Sequence, residues 1–83
     1  MKPVLLYLTP TCPFCHRAKL LLDKKGIPYQ EIDVSADRKK RSEMEERSGG
    51  HTVPQIFIGG EPIGGSDQLV ALEEAGELDA LLQ

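Results

Sequence analysis

Cysteine is scarce in this chain of 83 residues: there are two, Cys12 and Cys15. A pair so close in sequence shuts only a tiny loop, so it cannot act as the staple that a small fold with a marginal core would normally use. Long apolar runs are also missing. None approaches the roughly 18 residues needed to cross a membrane. Met1-Lys2-Pro3 leads straight into a strand, an opening expected to leave no room for a signal peptide. The expected compartment is therefore the cytoplasm, where a CxxC pair is redox-active or metal-binding more often than structural. Repeats and low-complexity tracts are absent, and residues 1–83 are expected to form a single domain.

The second half of the chain has no Lys or Arg at all. All ten lie between Lys2 and Arg47, where seven acids leave a balance of +3, whereas Ser48 to Gln83 holds six acids and stands at −6. The overall charge is −3, and no aromatic-rich basic stripe is present on which bases could stack. Nucleic acid is not an expected partner. Most of the charge reads as solvated helix faces.

What the chain does contain is concentrated at Thr11-Cys12-Pro13-Phe14-Cys15-His16-Arg17. The apolar run Val4-Leu5-Leu6-Tyr7-Leu8 before it reads as a buried strand, and the stretch after it has helical spacing, with Phe14, Ala18, Leu21 and Leu22 on one face. The cysteines thus fall where a strand turns into a helix. Thr11 is expected to cap that helix, and Pro13 suits its first turn, where a missing N–H costs nothing. Cys12 then sits at the positive end of the helix dipole, which stabilises a thiolate and marks it as the reactive thiol. Cys15, one turn on, is more enclosed and placed to close a disulfide with it. Arg17 and Lys19 can add positive field.

Lys24-Lys25-Gly26 ends the helix with cations and a glycine, and Pro28 blocks its continuation. Tyr29 to Val34 alternates as a second strand, expected to lie parallel to the first because the connection is a long crossover. Ser35 opens a polar helix from Ala36 to about Arg47, with Ala36 and Met44 as its apolar anchors and Lys and Arg stems covering the core. Ser48-Gly49-Gly50 ends it. Gln55-Ile56-Phe57-Ile58 is a third strand, Gly59-Gly60 a hairpin turn, and Glu61-Pro62-Ile63 a short fourth strand suited by Pro62 to an edge. After Gly64-Gly65, Ser66 caps a last helix that Gly76 interrupts. The order is βαβαββα, an α/β fold with one small sheet and helices on both faces.

Cys12-Pro13-Phe14-Cys15, Thr52-Val53-Pro54 and Gly64-Gly65-Ser66-Asp67, at these separations, resemble the glutaredoxins, and the likeness runs through nearly the whole chain. The resemblance implies a thioredoxin fold, with a four-stranded mixed sheet flanked by helices. It implies a disulfide reductase of the dithiol branch, since Cys15 stands where the monothiol branch has serine. Glutathione is the implied co-substrate, with no permanently bound cofactor. Disulfide-bonded or glutathionylated proteins, ribonucleotide reductase among them, are the implied partners of a monomer.

By the same resemblance, Cys12 attacks and Cys15 resolves, while Phe14 covers the thiols. Thr52, Val53 and a cis Pro54 hold glutathione, Val53 pairing with it like a strand edge. Asp67 takes the ammonium of the γ-glutamyl group, backbone N–H groups of Ser66 and Asp67 take its carboxylate, and Arg41 takes the glycine carboxylate. The chain departs from the family's pattern at Thr9, which replaces a common lysine, and at Gly50 and His51, so the site is less cationic than usual.

Rival readings attach to the same residues. A zinc site would need four ligands, but only His16 and His51 could join the cysteines, and His16 points roughly a hundred degrees away from Cys15 on the helix. No metal site is expected. Cys12 to His16 also matches a c-type haem pattern literally, without the export that attachment requires. His16 reads as a solvent-facing residue and His51 as a loop residue. Two alternatives to the glutathione reading are a glutaredoxin-like thioredoxin reduced by thioredoxin reductase, and a [2Fe–2S] carrier ligated by Cys12 of two protomers and two glutathiones.

Overall fold

The computed structural model describes all 83 residues. Its elements are β1 (Val4–Leu8), α1 (Pro13–Lys24), β2 (Gln30–Asp33), α2 (Arg38–Ser48), β3 (Gln55–Ile58), β4 (Glu61–Gly64), α3 (Ser66–Glu74) and α4 (Leu78–Leu82). The strands form one sheet in the order β2-β1-β3-β4. β1 and β2 are parallel, as the long crossover requires, and the β1/β3 and β3/β4 pairs are antiparallel. β4 lies at the edge, where the missing N–H of Pro62 breaks no ladder between two neighbours. This is the four-stranded mixed sheet of the thioredoxin fold, with one more helix than expected at its end.

The continuous apolar runs of β1 and β3 conceal a period of two. Val4, Leu6 and Leu8 join Ile56 and Ile58 on one face, where they pack with Cys15, Ala18, Leu22, Leu69, Leu78 and Leu82. Tyr7 and Phe57 point to the other face and meet Val34 and Met44. Both faces are covered, which is why the central strands carry no polar alternation.

The second face is the thin one. α2 contributes Met44 as its sole buried residue, and Arg47 extends the cover. Its guanidinium lies 4.6 Å from the centre of the Phe57 ring and donates to the Tyr7 hydroxyl at 2.7 Å. That hydroxyl donates in turn to Glu43. Met44 anchors the helix and an arginine stem extends the cover, as expected, whereas Ala36 is exposed and adds nothing.

Several boundaries move. Cys12, not Thr11, caps α1. Phe14 is 55% exposed and does not share the buried face with Ala18 and Leu22. Asp37 caps α2 by accepting from the Lys40 N–H at 3.0 Å, so the helix starts at Arg38 and Ala36 is an exposed residue before it. A carboxylate competes better than the Ser35 hydroxyl for the unpaired donors of a helix start. Gly65 is the N-cap of α3 and Ser66 its first residue, and Gly76, at φ +71°, ends one helix before α4 begins another. Tyr29 and Val34 lie just outside β2, and Gly64 extends β4.

Candidate active site

Two loops and two helix starts meet at one corner of the sheet. Pro13 occupies the first position of α1, and the Cys12 sulfur accepts from the Cys15 N–H at 3.4 Å. The reactive-thiol candidate is therefore itself the cap of the helix, which puts its sulfur among donors that have no partner inside the helix. The Cys12 thiol also donates to the Val53 carbonyl at 3.6 Å. That contact joins the α1 start to the loop ahead of β3.

Cys12 is partly exposed, whereas Cys15 is 2% exposed and belongs to the hydrophobic core. Burial pushes the Cys15 thiol up to about 11, against a smaller lowering by a hydrogen bond with the Thr9 backbone. Both cysteines are free thiols. One is presented and the other is held protonated beneath it.

Beside the thiols is an open groove of about 470 Å³, within the roughly 300–1,000 Å³ of small-molecule sites. Six of the expected glutathione residues line it together: Phe14 from α1, Thr52, Val53 and Pro54 from the loop, and Ser66 and Asp67 from α3. The Val53–Pro54 peptide is cis. Phe14, lost to the core, is thereby accounted for as a wall of the groove. Arg41 is not part of the lining. Its guanidinium donates to the His51 carbonyl at 2.7 Å, which leaves it behind the loop that carries Thr52. The cations near the thiols are also engaged: Arg17 pairs with Asp67 at 3.2 Å and Lys19 with Glu31 at 2.8 Å. His16 and His51 are exposed.

The α3 end of the groove depends on two glycines. A Cβ on Gly65 would stand 3.2 Å from the Pro54 carbonyl, and Gly64 sits at φ +105° with Gln68 pressed against it. The start of α3 can therefore close on the Pro54 loop only with side chains absent there. Ser66, directly after, is 3% exposed, and its hydroxyl is the one buried side-chain polar atom with no partner.

Two groove residues escaped the sequence reading. Gln55, 7% exposed, donates through Nε2 to the Thr52 carbonyl at 3.0 Å and so braces the loop from below. Gln68 accepts from the Gly65 N–H at 2.8 Å and satisfies the helix start that glycine cannot cap. Gln55 was hidden by its place in an apolar strand. Gln68 carried a usable signal, since a glutamine three residues after an N-cap is half of a capping box.

No group of three or more His, Cys, Asp or Glu side chains is gathered anywhere in the molecule.

Comparison with known proteins follows the same lines. A family model of glutaredoxins matches residues 4–63. Glutaredoxin 3 of Escherichia coli (strain K12) is 52% identical over 83 residues, covering all of both chains. Among solved structures, glutaredoxin from Brucella melitensis is 55% identical with a TM-score of 0.87, over 99% of this chain and 89% of that one. A buckwheat glutaredoxin–glutathione complex is 31% identical with a TM-score of 0.88, over 98% of this chain and 76% of that one.

Proposed function

The chain belongs to the glutaredoxin family and is a glutathione-dependent thiol–disulfide oxidoreductase with a cysteine pair, and from this we propose that Cys12 is the attacking thiol and Cys15 the resolving one. The observation that carries the assignment is their unequal setting. Cys12 is accessible and abuts the groove through Val53, while Cys15 is buried with its pKa pushed up to about 11.

On a glutathionylated protein, the Cys12 thiolate attacks the glutathione sulfur. The S–S bond breaks, and the protein leaves as a thiolate that takes a proton from solvent. A glutathione thiolate then attacks the sulfur now attached to Cys12, releasing glutathione disulfide and the Cys12 thiolate. On a protein disulfide, Cys12 forms a mixed disulfide with one sulfur and frees the other. Cys15 loses its proton as it attacks the Cys12 sulfur, which frees the second substrate thiol and leaves Cys12–Cys15. Two glutathiones in turn reduce that bond. Because exchange requires a thiolate, a buried Cys15 does not compete with Cys12 for the first attack.

In the groove, the Val53 backbone lies outside the β3 ladder and is assigned to pair with the cysteinyl part of glutathione. Phe14, Thr52 and the cis Pro54 shape the walls. The α3 start, with the N–H groups of Ser66 and Asp67, is assigned to the γ-glutamyl carboxylate, and the Asp67 side chain to the ammonium. Arg17 holds Asp67 meanwhile, but an exposed pair is worth roughly 0–1 kcal/mol and yields readily to a ligand. Assigning the glycine carboxylate to Arg41 requires its guanidinium to release the His51 carbonyl, to which it donates at 2.7 Å.

Residues 1–83 are proposed to act as one monomeric domain in the cytoplasm. No helix is long and apolar enough to cross a membrane. Disulfide-bonded and glutathionylated proteins are the proposed partners, with ribonucleotide reductase as one candidate.

The test is reduction of a glutathione mixed disulfide coupled to glutathione reductase and NADPH. The native chain is expected to turn over, Cys12→Ser to be inactive, and Cys15→Ser to retain deglutathionylation while losing reduction of protein disulfides. Turnover only with thioredoxin reductase would overturn glutathione as the donor.

A further inference from the structure

The first turn of α2 is charged against the helix's own dipole. Arg38, Lys39, Lys40 and Arg41 fill the first turn, which contains no acid, and Glu43, Glu45 and Glu46 follow toward the C-terminus. A helix favours acids at its start and cations at its end, and a cation four residues before a glutamate is the weaker order for a side-chain pair. Asp37, the cap, and Arg47 in the last turn work in the favourable direction, so the mismatch lies in the first turn.

Nor are these cations consumed inside the fold. Arg38 and Lys39 are exposed and make no ion pair, and Lys40 reaches Glu43 only at 3.7 Å. Arg41 alone is tied down, at the His51 carbonyl. Through that bond the cluster stands beside the loop whose next residue, Thr52, is a wall of the groove. A local rule broken without gain to the fold, at the edge of a site, points to a use outside the fold.

We propose that Arg38, Lys39 and Lys40 form a docking patch for an acidic polypeptide segment flanking the disulfide of a protein substrate. The proposal rests on the reductase reading above and extends it from glutathione to the protein partner. A short acidic segment is favoured over nucleic acid by charge. The patch is local on a molecule of net charge −3, so a long polyanion meets repulsion elsewhere, and α2 has no aromatic side chain for stacking. Such a patch acts mainly on the rate of encounter and is weakened by salt.

The experiment compares the native chain with Arg38→Glu/Lys39→Glu, two positions outside the groove. Substrates are a glutathione mixed disulfide of 2-mercaptoethanol, a glutathionylated peptide with acidic flanks, and a peptide of equal length with Ser and Gly flanks. At low salt, native kcat/KM is expected to be about tenfold higher for the acidic peptide than for the neutral one, as electrostatic steering allows. The preference should shrink near 0.5 M salt, where the Debye length is only about 4 Å. In the variant it should vanish or reverse while turnover of the small disulfide is unchanged. The variant is also expected to melt higher, because its first turn then suits the dipole, so lost preference cannot be laid to misfolding.

Equal kcat/KM for the two peptides, or a preference that survives in the variant, would overturn the proposal. Fluorescence anisotropy with a labelled acidic peptide lacking cysteine tests docking even if the native chain turns over none of the disulfides, the outcome that would instead defeat the reductase reading. Tighter binding of a labelled single-stranded oligonucleotide than of that peptide would assign the patch to nucleic acid.

Discussion

A thiol proposed to act second needs a reason to keep its proton, and for Cys15 that reason is its place in the core. At 2% exposure, burial raises its pKa from the ordinary 9.0 to about 11. The sign of the stability effect follows. Between those values the unfolded chain releases the proton while the native one keeps it, so unfolding releases protons and stability falls as pH rises. The contribution is intact below about 9 and lost through about 11. Iodoacetamide at neutral pH is expected to modify one thiol rapidly, identified by peptide mass as Cys12, with Cys15 reacting only in strong alkali. Cys15→Ser should flatten the alkaline fall of Tm. Equal labelling of both thiols at neutral pH would show that the two do not differ in this way.

At the scale of single elements, α2 shows how a helix poor in apolar residues is kept on a sheet. Met44 supplies one buried anchor, and Arg47, Glu43 and the buried Tyr7 hydroxyl supply a polar one. The hydrogen bond from Tyr7 holds the Glu43 carboxyl below its ordinary 4.5. Its contribution is present above that value and lost as pH falls through the lower, folded one. Tyr7→Phe is expected to cost about 1 kcal/mol near neutral pH through the lost hydrogen bonds and to flatten the acid limb of Tm against pH. An acid limb as steep as that of the native chain would exclude Tyr7 as its source. None of this network was legible beforehand, because it joins residues 36 and 40 positions apart. The central strands and the helix after Cys12 were legible, since Pro13, the apolar runs and Gly26 are local signals. The caps of α2 and α3 were misplaced by one or two residues, where Asp37 outcompeted Ser35 and the close approach at Gly65 left Ser66 buried. The groove was largely legible through Thr52-Val53-Pro54 and Gly64-Gly65-Ser66-Asp67, each a local run. Gln55 was not, because only folding brings its amide under Thr52.

Across the whole molecule, the geometry between thiols and groove is set by how α1 lies against α3. The first carries the cysteines and the second carries Ser66 and Asp67. Arg17 pairs with Asp67 near the starts of both helices, and Lys25 pairs with Glu73 near their ends, so the two run side by side in the same direction. Lys25 also reaches Asp79 at 3.1 Å, which ties in α4, whose last turn accepts from the Lys2 N–H at 2.6 Å. The two pins are unequal. Arg17 and Asp67 are open to solvent and to a competing ligand, whereas the Lys25 side chain is 18% exposed and holds two carboxylates. The lower pin is thus the structural one, and the upper pin can open without freeing α3, as the role proposed for Asp67 requires. Lys25→Met is expected to lower Tm by a few degrees and to speed hydrogen exchange of α4 amides several-fold, with turnover of a small glutathione mixed disulfide unchanged. Loss of turnover in step with the loss of stability would mean that the groove depends on both pins, and that Asp67 cannot exchange partners while α3 stays in place.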